Sequence, residues 1–236
     1  MGAEYLYCHP CFEEWKWAYR FSYELHREFR GRGLQLYRFD YVGTGEDHGE
    51  FADVTVKTMI RDIHQQVKLL DPTPTLIGLR LGATLAACYA ASLPNTIKQL
   101  VLVEPVVNGA DYVRHMQLQQ QITDTITQSV HPLPDNNFVN LHGYKTSQVF
   151  IQELKALDLN EILPRVSATC RTNYVSVTST GHRICKAQRW LGERWERSGV
   201  VERFITIHCP QPWQSVRVSD YLELVDLVAS LSQGKQ

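Results

Sequence analysis

Apolar positions along the chain fall into two alternating rhythms. Short dense runs at residues 5–9, 34–39, 75–79 and 99–103 predict strands, and the last is the unbroken apolar stretch of a central parallel strand. Between them the period changes to nearly four. Residues 15–30 space Trp17, Phe21, Leu25 and Phe29 as one helical face, and residues 56–70 do the same with Met59, Ile63, Val67 and Leu70. Residues 81–91, rich in Ala and Leu, predict a buried helix ended near Pro94. Gly31, Gly33, Pro72 and Pro74 punctuate the series. Strand and helix in strict alternation require right-handed crossovers, hence an α/β fold with a mostly parallel sheet and helices on both faces.

The rhythm breaks between about 105 and 165. A Gln-rich helical stretch at 117–121, then Pro132 and Pro134, then a second helical stretch around 148–157 predict a small helical cap over the carboxyl edge of the sheet. The cap is an insertion in a single domain spanning 1–236. Alternation resumes with a strand at 172–177, a helix at 184–198, a strand at 201–207 and a closing helix at 220–231.

Composition narrows the class. With 236 residues and 44% hydrophobic positions, the chain can bury one sizeable core. Lys+Arg 24 against Asp+Glu 25 excludes a basic nucleic-acid footprint. No stretch approaches the roughly 18 apolar residues of a membrane span. Met1-Gly2-Ala3-Glu4 lacks the basic and apolar regions of a secretory signal, so a cytoplasmic location is expected. Cys8-x-x-Cys11 has a zinc or redox spacing, but no second pair or matched histidines accompany it. The six scattered cysteines therefore read as buried thiols, and neither a metal nor a cofactor is expected.

Ligands in open α/β sheets bind at the carboxyl ends of the strands. There the third strand runs through Gly78-Leu79-Arg80-Leu81-Gly82 straight into a helix. This is a G-x-S-x-G nucleophile elbow in all but its central residue. The Gly43-Thr44-Gly45 loop lacks the lysine of a phosphate-binding loop and reads as a tight turn. Arg183, Lys186, Arg189, Arg194, Arg197 and Arg203, interleaved with Trp190 and Trp195, read as a solvated helix face with one core-facing Trp.

Several segments in fixed order carry a family resemblance. They are Pro10-Cys11-Phe12-Glu13-Glu14, Asp40-Tyr41-Val42-Gly43-Thr44-Gly45, Gly78-Leu79-Arg80-Leu81-Gly82-Ala83, Glu104-Pro105-Val106-Val107-Asn108-Gly109, Gly143-Tyr144 and Pro212-Trp213-Gln214. Together they resemble the α/β-hydrolase fold, and within it the exosortase A system-associated hydrolases, where Arg at the elbow is habitual. The resemblance implies a bacterial protein tied to exosortase sorting and exopolysaccharide production, with an activity inferred from fold. It also implies that the first two strands of the fold are missing or vestigial. A sheet edge left so would need a partner, such as a second copy of the chain.

Acyl transfer needs a nucleophile, a base and an orienting acid. Arg80 can serve as neither nucleophile nor base, because a guanidinium does not deprotonate in proteins. Thr178-Ser179-Thr180-Gly181 offers no carboxylate where the acid is expected, and Trp213 stands where the fold supplies its histidine. His182 and His208 are the nearest histidines, with His208 a candidate displaced base. A cation at a helix N-terminus opposes the helix dipole, so Arg80 should be paired with a carboxylate or offered to an anion. Glu13, Glu14, Asp40 and Glu104 can reach the same edge, with Glu13 or Glu14 the first choice. Two functions follow. In one, Arg80 with the backbone N–H groups of Leu81 and Phe12 holds a small anionic ligand, or the same face holds a partner protein, without catalysis. In the other, an unconventional site hydrolyses esters, thioesters or amides.

Overall fold

The computed structural model describes residues 4–70, 73–127, 137–179, 186–214 and 221–234. Pro72, Pro132, Pro134, Thr180, Gly181, His182, Arg183 and Cys185 lie outside them. Six parallel strands form one sheet: β1 (Glu4–Cys8), β2 (Gln35–Arg38), β3 (Thr75–Leu79), β4 (Gln99–Val103), β7 (Arg171–Thr178) and β8 (Arg203–His208), in the order β2-β1-β3-β4-β7-β8. The register is continuous, with Cys8 beside Gly78 and Leu79 beside Val103. This aligns the carboxyl ends of β1, β3 and β4.

Side-chain alternation feeds two cores. Leu6 and Cys8 of β1, Leu100 and Leu102 of β4, and Tyr174 of β7 face α2 (Val56–Lys68), α3 (Leu81–Ser92) and α7 (Lys186–Arg197). Tyr5 and Tyr7, Val101 and Val103, Val175 and Val177 face α1 (Glu13–Gly31) and α8 (Leu222–Ser232). The predicted α/β architecture with helices on both faces is therefore the one observed. α3 is buried on every side from Leu81 to Ala90, as its Ala-rich sequence requires. In α2, Thr55 and Thr58 form a reciprocal capping box that fixes the start of the helix.

One face differs from its prediction. In α1 the buried stripe is Ala18, Phe21, Leu25 and Phe29, while Trp17 is 42% exposed. The helix begins at Glu13, so its first turn lies over the carboxyl edge of the sheet, where Trp17 borders a cavity instead of the core.

Between β4 and β7 lie α4 (Gly109–Thr127), a hairpin of β5 (Phe138–Leu141) and β6 (Tyr144–Ser147), α5 (Gln148–Lys155) and the short α6 (Leu159–Ile162). The hairpin has no counterpart in the sequence prediction. Its two-residue turn, His142-Gly143, has positive φ at both positions (53° and 84°), the primed-turn geometry that suits strand twist. Its strands carry too few apolar residues to show a period. Phe150 of α5 stacks on Phe12, and Phe51 and Tyr144 pack edge-on to Phe12, tying this region to the loop after β1.

Candidate functional site

The turn from β3 into α3 is a close-packed elbow. A Cβ on Gly78 would be driven into the Ala83 backbone, and one on Gly82 into the carbonyls of Cys8 and His9. Only glycine lets the helix start so near β1. Arg80 takes the strained position between them, with φ 54° and ψ −124°. Its N–H donates to the Val103 carbonyl at 3.0 Å and its own carbonyl accepts from Ala83 at 3.0 Å. Phe12, which precedes α1, is held at φ 56° and ψ −144°. Two helix N-termini, at Leu81 and Glu13, thus open at the same sheet edge.

Glu14 is the carboxylate that pairs with Arg80. Arg80 Nε donates to Glu14 Oε1 at 2.8 Å, and Tyr112 Oη donates to Glu14 Oε2 at 3.1 Å. Arg80 Nη1 reaches the Glu104 carbonyl at 3.3 Å, and the guanidinium lies 5.1 Å from the centre of the Trp213 ring. Burial works against this charge, but Glu14, Tyr112 and Glu104 outweigh it and hold the Arg80 pKa above its ordinary value. The arginine is therefore cationic throughout the working range. Burial, reinforced by the Glu14 charge, pushes Tyr112 well above the ordinary tyrosine value, so its hydroxyl keeps its proton and donates.

The other predicted residues divide. Glu13 lines the same cavity but pairs with Lys16 at 2.8 Å. The Glu104 carboxylate turns away from Arg80 and accepts from Val177 N–H at 2.7 Å, Ser176 Oγ at 3.1 Å and Gln188 Nε2 at 2.5 Å. It braces the ends of β4 and β7, with its backbone carbonyl left for Arg80. Asp40 is bonded to Glu46 N–H and stays with the loop after β2. Thr44 N–H donates to the Tyr41 carbonyl at 2.9 Å, giving the tight turn expected there. His208 is exposed at the end of β8, shares a 2.7 Å hydrogen bond with Thr178 and does not line the cavity over Arg80. Trp195 is buried and Trp190 is 55% exposed. Cys8, Cys11, Cys88, Cys170 and Cys209 are all buried, and burial pushes the Cys8 and Cys11 thiols up to about 12, which removes them from thiolate chemistry.

A cavity of about 510 Å³ opens over Arg80, walled by Phe12, Trp17, Tyr112, Met116, Ile122 and Trp213, with His115 and His142 at its polar side. Sequence reasoning missed Tyr112, Trp17 and both histidines. Tyr112 could have been found, because Asn108 caps α4 with a 3.0 Å bond to Asp111 N–H directly after the Glu104 loop. A tyrosine in the first turn of a helix that leaves the carboxyl edge must stand near the elbow.

The chain matches the profile of Hydrolase_4, serine aminopeptidase S33, over residues 16–178. It belongs to the serine aminopeptidase S33 family. Among curated relatives it is 25% identical to proline iminopeptidase of Chitinophaga pinensis over 116 residues, which is 46% of this chain and 39% of that protein. It is 28% identical to a monoglyceride lipase homolog of Monkeypox virus over 110 residues, 44% of this chain and 40% of that one. The chain thus spans about two fifths of the length of these relatives. In structure it is similar to Est1E from Butyrivibrio proteoclasticus with ferulic acid bound, at TM-score 0.69 and 14% identity over 99% of this chain and 89% of that one. The fold is that of the α/β-hydrolases, as the resemblance implies.

Arg80 occupies the elbow between β3 and α3. A further group sits beside the site. His9 of this S33 chain is 5% exposed, and burial, only partly offset by the Pro10 carbonyl and Asp40, lowers its pKa to about 4. Its ordinary value near 6.5 is regained on unfolding, so between those values the unfolded chain binds the extra proton. Stability from neutral His9 is complete above pH 6.5 and is lost as pH falls toward 4. From pH 7 to 5.5 the expected loss is about 1 kcal/mol. Urea titrations of the parent and of His9→Phe at both pH values will show it as a pH slope that the variant lacks.

Proposed function

We propose that this S33-family chain binds a small anionic ligand at its elbow and does not catalyse acyl transfer. The observation that carries the reading is the exchange of groups at the elbow. A guanidinium stands at the nucleophile position, and an indole ring packs against it where the fold supplies a histidine. Glu14 orients the fork, and Arg80 Nη2 has no hydrogen-bond partner among the described residues. A carboxylate fits that free edge, close to the N-termini of α3 and α1. The aromatic walls of the cavity suit a ligand with an apolar body, and the 105–165 segment acts as the cap. On this reading the ligand or partner belongs to a bacterial exosortase and exopolysaccharide system, as the sequence resemblance implies.

Family membership favours the second reading, hydrolysis of an ester, thioester or amide by an unconventional group. The two separate in one experiment. Short-chain nitrophenyl esters should turn over no faster than in buffer, and a fluorophosphonate probe should leave the protein unlabelled. Benzoate should quench Trp213 fluorescence saturably, with affinity falling about tenfold or more in Arg80→Gln, the value of a charge-assisted hydrogen bond. Robust esterase turnover, lost on changing Glu13 or His208, would establish the second reading and overturn the first.

A further inference from the structure

Arg80 stands between two cavities. Beside the one walled by Trp17 and Trp213, a second, of about 420 Å³, opens between the loop after β4, α4 and α7, walled by Pro105, Val106, Val107 and Leu191. Arg80, Tyr112 and His115 line both. The hydrogen bonds of the arginine set its fork across the boundary. Nε is tied to Glu14, which lines the first cavity and not the second. Nη1 is tied to the carbonyl of Glu104, which lines the second and not the first. Among the described residues, Arg80 is the one lysine or arginine lining either cavity, whereas carboxylates line both: Glu13 and Glu14 the first, Glu104 and Asp111 the second. An anionic group therefore has a single seat, at the junction. A second one would meet a carboxylate and no further cation, whichever cavity it entered.

We infer that the ligand is a monocarboxylic acid branched at its α-carbon, with the carboxylate on Arg80, an aromatic arm in the first cavity and an aliphatic arm in the second. This rests on the reading of Arg80 as an anion seat and adds the shape of what is held there. A straight-chain acid carries its carboxylate at one end and extends into one cavity, leaving the apolar wall of the other to water. Branching at the α-carbon sends two substituents apart from a point one bond away from the anion, so both walls are covered. The walls differ enough to assign the arms. Phe12, Trp17 and Trp213 give the first cavity flat faces that suit an aryl group. The second is aliphatic, and its polar groups are already engaged. Glu104 accepts from Gln188, Asn108 Oδ1 accepts from the Asp111 N–H, and Asp111 Oδ1 accepts from Arg114 at 2.7 Å.

Calorimetric titration of the intact chain with three probes tests this. Phenylpropanoate carries the aryl arm alone, hexanoate the alkyl arm alone, and hexanoate with a benzyl group on its α-carbon carries both. The branched acid should bind at least about tenfold tighter than either, because every methylene it buries beyond them is worth about fourfold. One enantiomer should dominate, since the three seats are unlike and exchanging the arms misplaces both. Val107→Trp, on the loop after β4, and Leu191→Trp, on α7, each fill the second cavity from a different element. In both, the advantage of the branched acid over phenylpropanoate should fall to about twofold or less. That ratio is taken within one protein, so a general loss of stability does not move it. Failure of phenylpropanoate to bind the parent, or undiminished binding in Arg80→Gln, overturns the anion seat and this inference with it. Phenylpropanoate held through Arg80 while the branched acid is no tighter, its enantiomers are equal, or its advantage survives in both tryptophan variants, leaves the seat standing and overturns the two-armed ligand alone.

Discussion

Gly82→Ala is expected to destabilise the protein by about 3 kcal/mol, at the upper end of what overpacking costs. The position lies on the first turn of α3, where a new Cβ would be forced into the Cys8 and His9 carbonyls of the chain leaving β1. Neither neighbour can yield easily. Cys8 is locked in register with Gly78, and the elbow on the other side is pinned by the Arg80–Val103 hydrogen bond. For a chain of this size the loss lowers Tm by roughly 6–12 °C. Gly31→Ala is the matched control, since a Cβ there meets nothing within 4 Å and its φ is not positive. It should be neutral or slightly stabilising. Calorimetry on the two variants decides the matter: equal Tm values would mean that the helix does not approach β1 as closely as described.

The same crowding explains why the elbow was legible from sequence. Two glycines, each two positions from Arg80, between an apolar strand and an Ala-rich helix are a local demand of backbone geometry, and local demands are written locally. β3 and β4 appear with the predicted bounds because both strands are buried at every position and, apart from Thr75 and Gln99 at their starts, carry no polar side chain. Glu14 was readable as a partner of Arg80 because strand order places the loops after β1 and β3 side by side. The cap was harder. Tyr112, Trp17 and His142 reach the cavity from three elements whose relative placement depends on tertiary packing, above all the Phe12–Phe51–Phe150 cluster. Trp17 misled for the same reason. Its spacing fits the apolar stripe of α1, but the first turn of that helix overhangs the sheet, so a core signal became a cavity wall.

Removing either member of the Arg80–Glu14 pair should cost about 3 kcal/mol, and removing both should cost far less. Both side chains are 19% exposed, so each is mostly withdrawn from water and relies on the other for compensation. In Glu14→Leu the guanidinium keeps, among the described residues, the Glu104 carbonyl and the faces of Trp213 and Tyr112. In Arg80→Met the carboxylate keeps, among the described residues, the Tyr112 hydroxyl alone. The double variant leaves no orphaned charge, and apolar pairs of similar volume often replace such a bridge without loss. Urea denaturation of the four proteins should therefore give a coupling energy of about 2 kcal/mol or more, somewhat reduced by salt because the pair is not wholly enclosed. Two single-variant losses below about 0.5 kcal/mol, the range of exposed ion pairs, would show that Glu14 does not hold the fork. Arg80 would then be oriented by its strained backbone and by Trp213 alone. If the coupling is large and the double variant folds while losing benzoate, the pair serves the ligand more than the fold. A bridge that an apolar pair can replace in stability but not in binding is one whose charge is directed at the cavity.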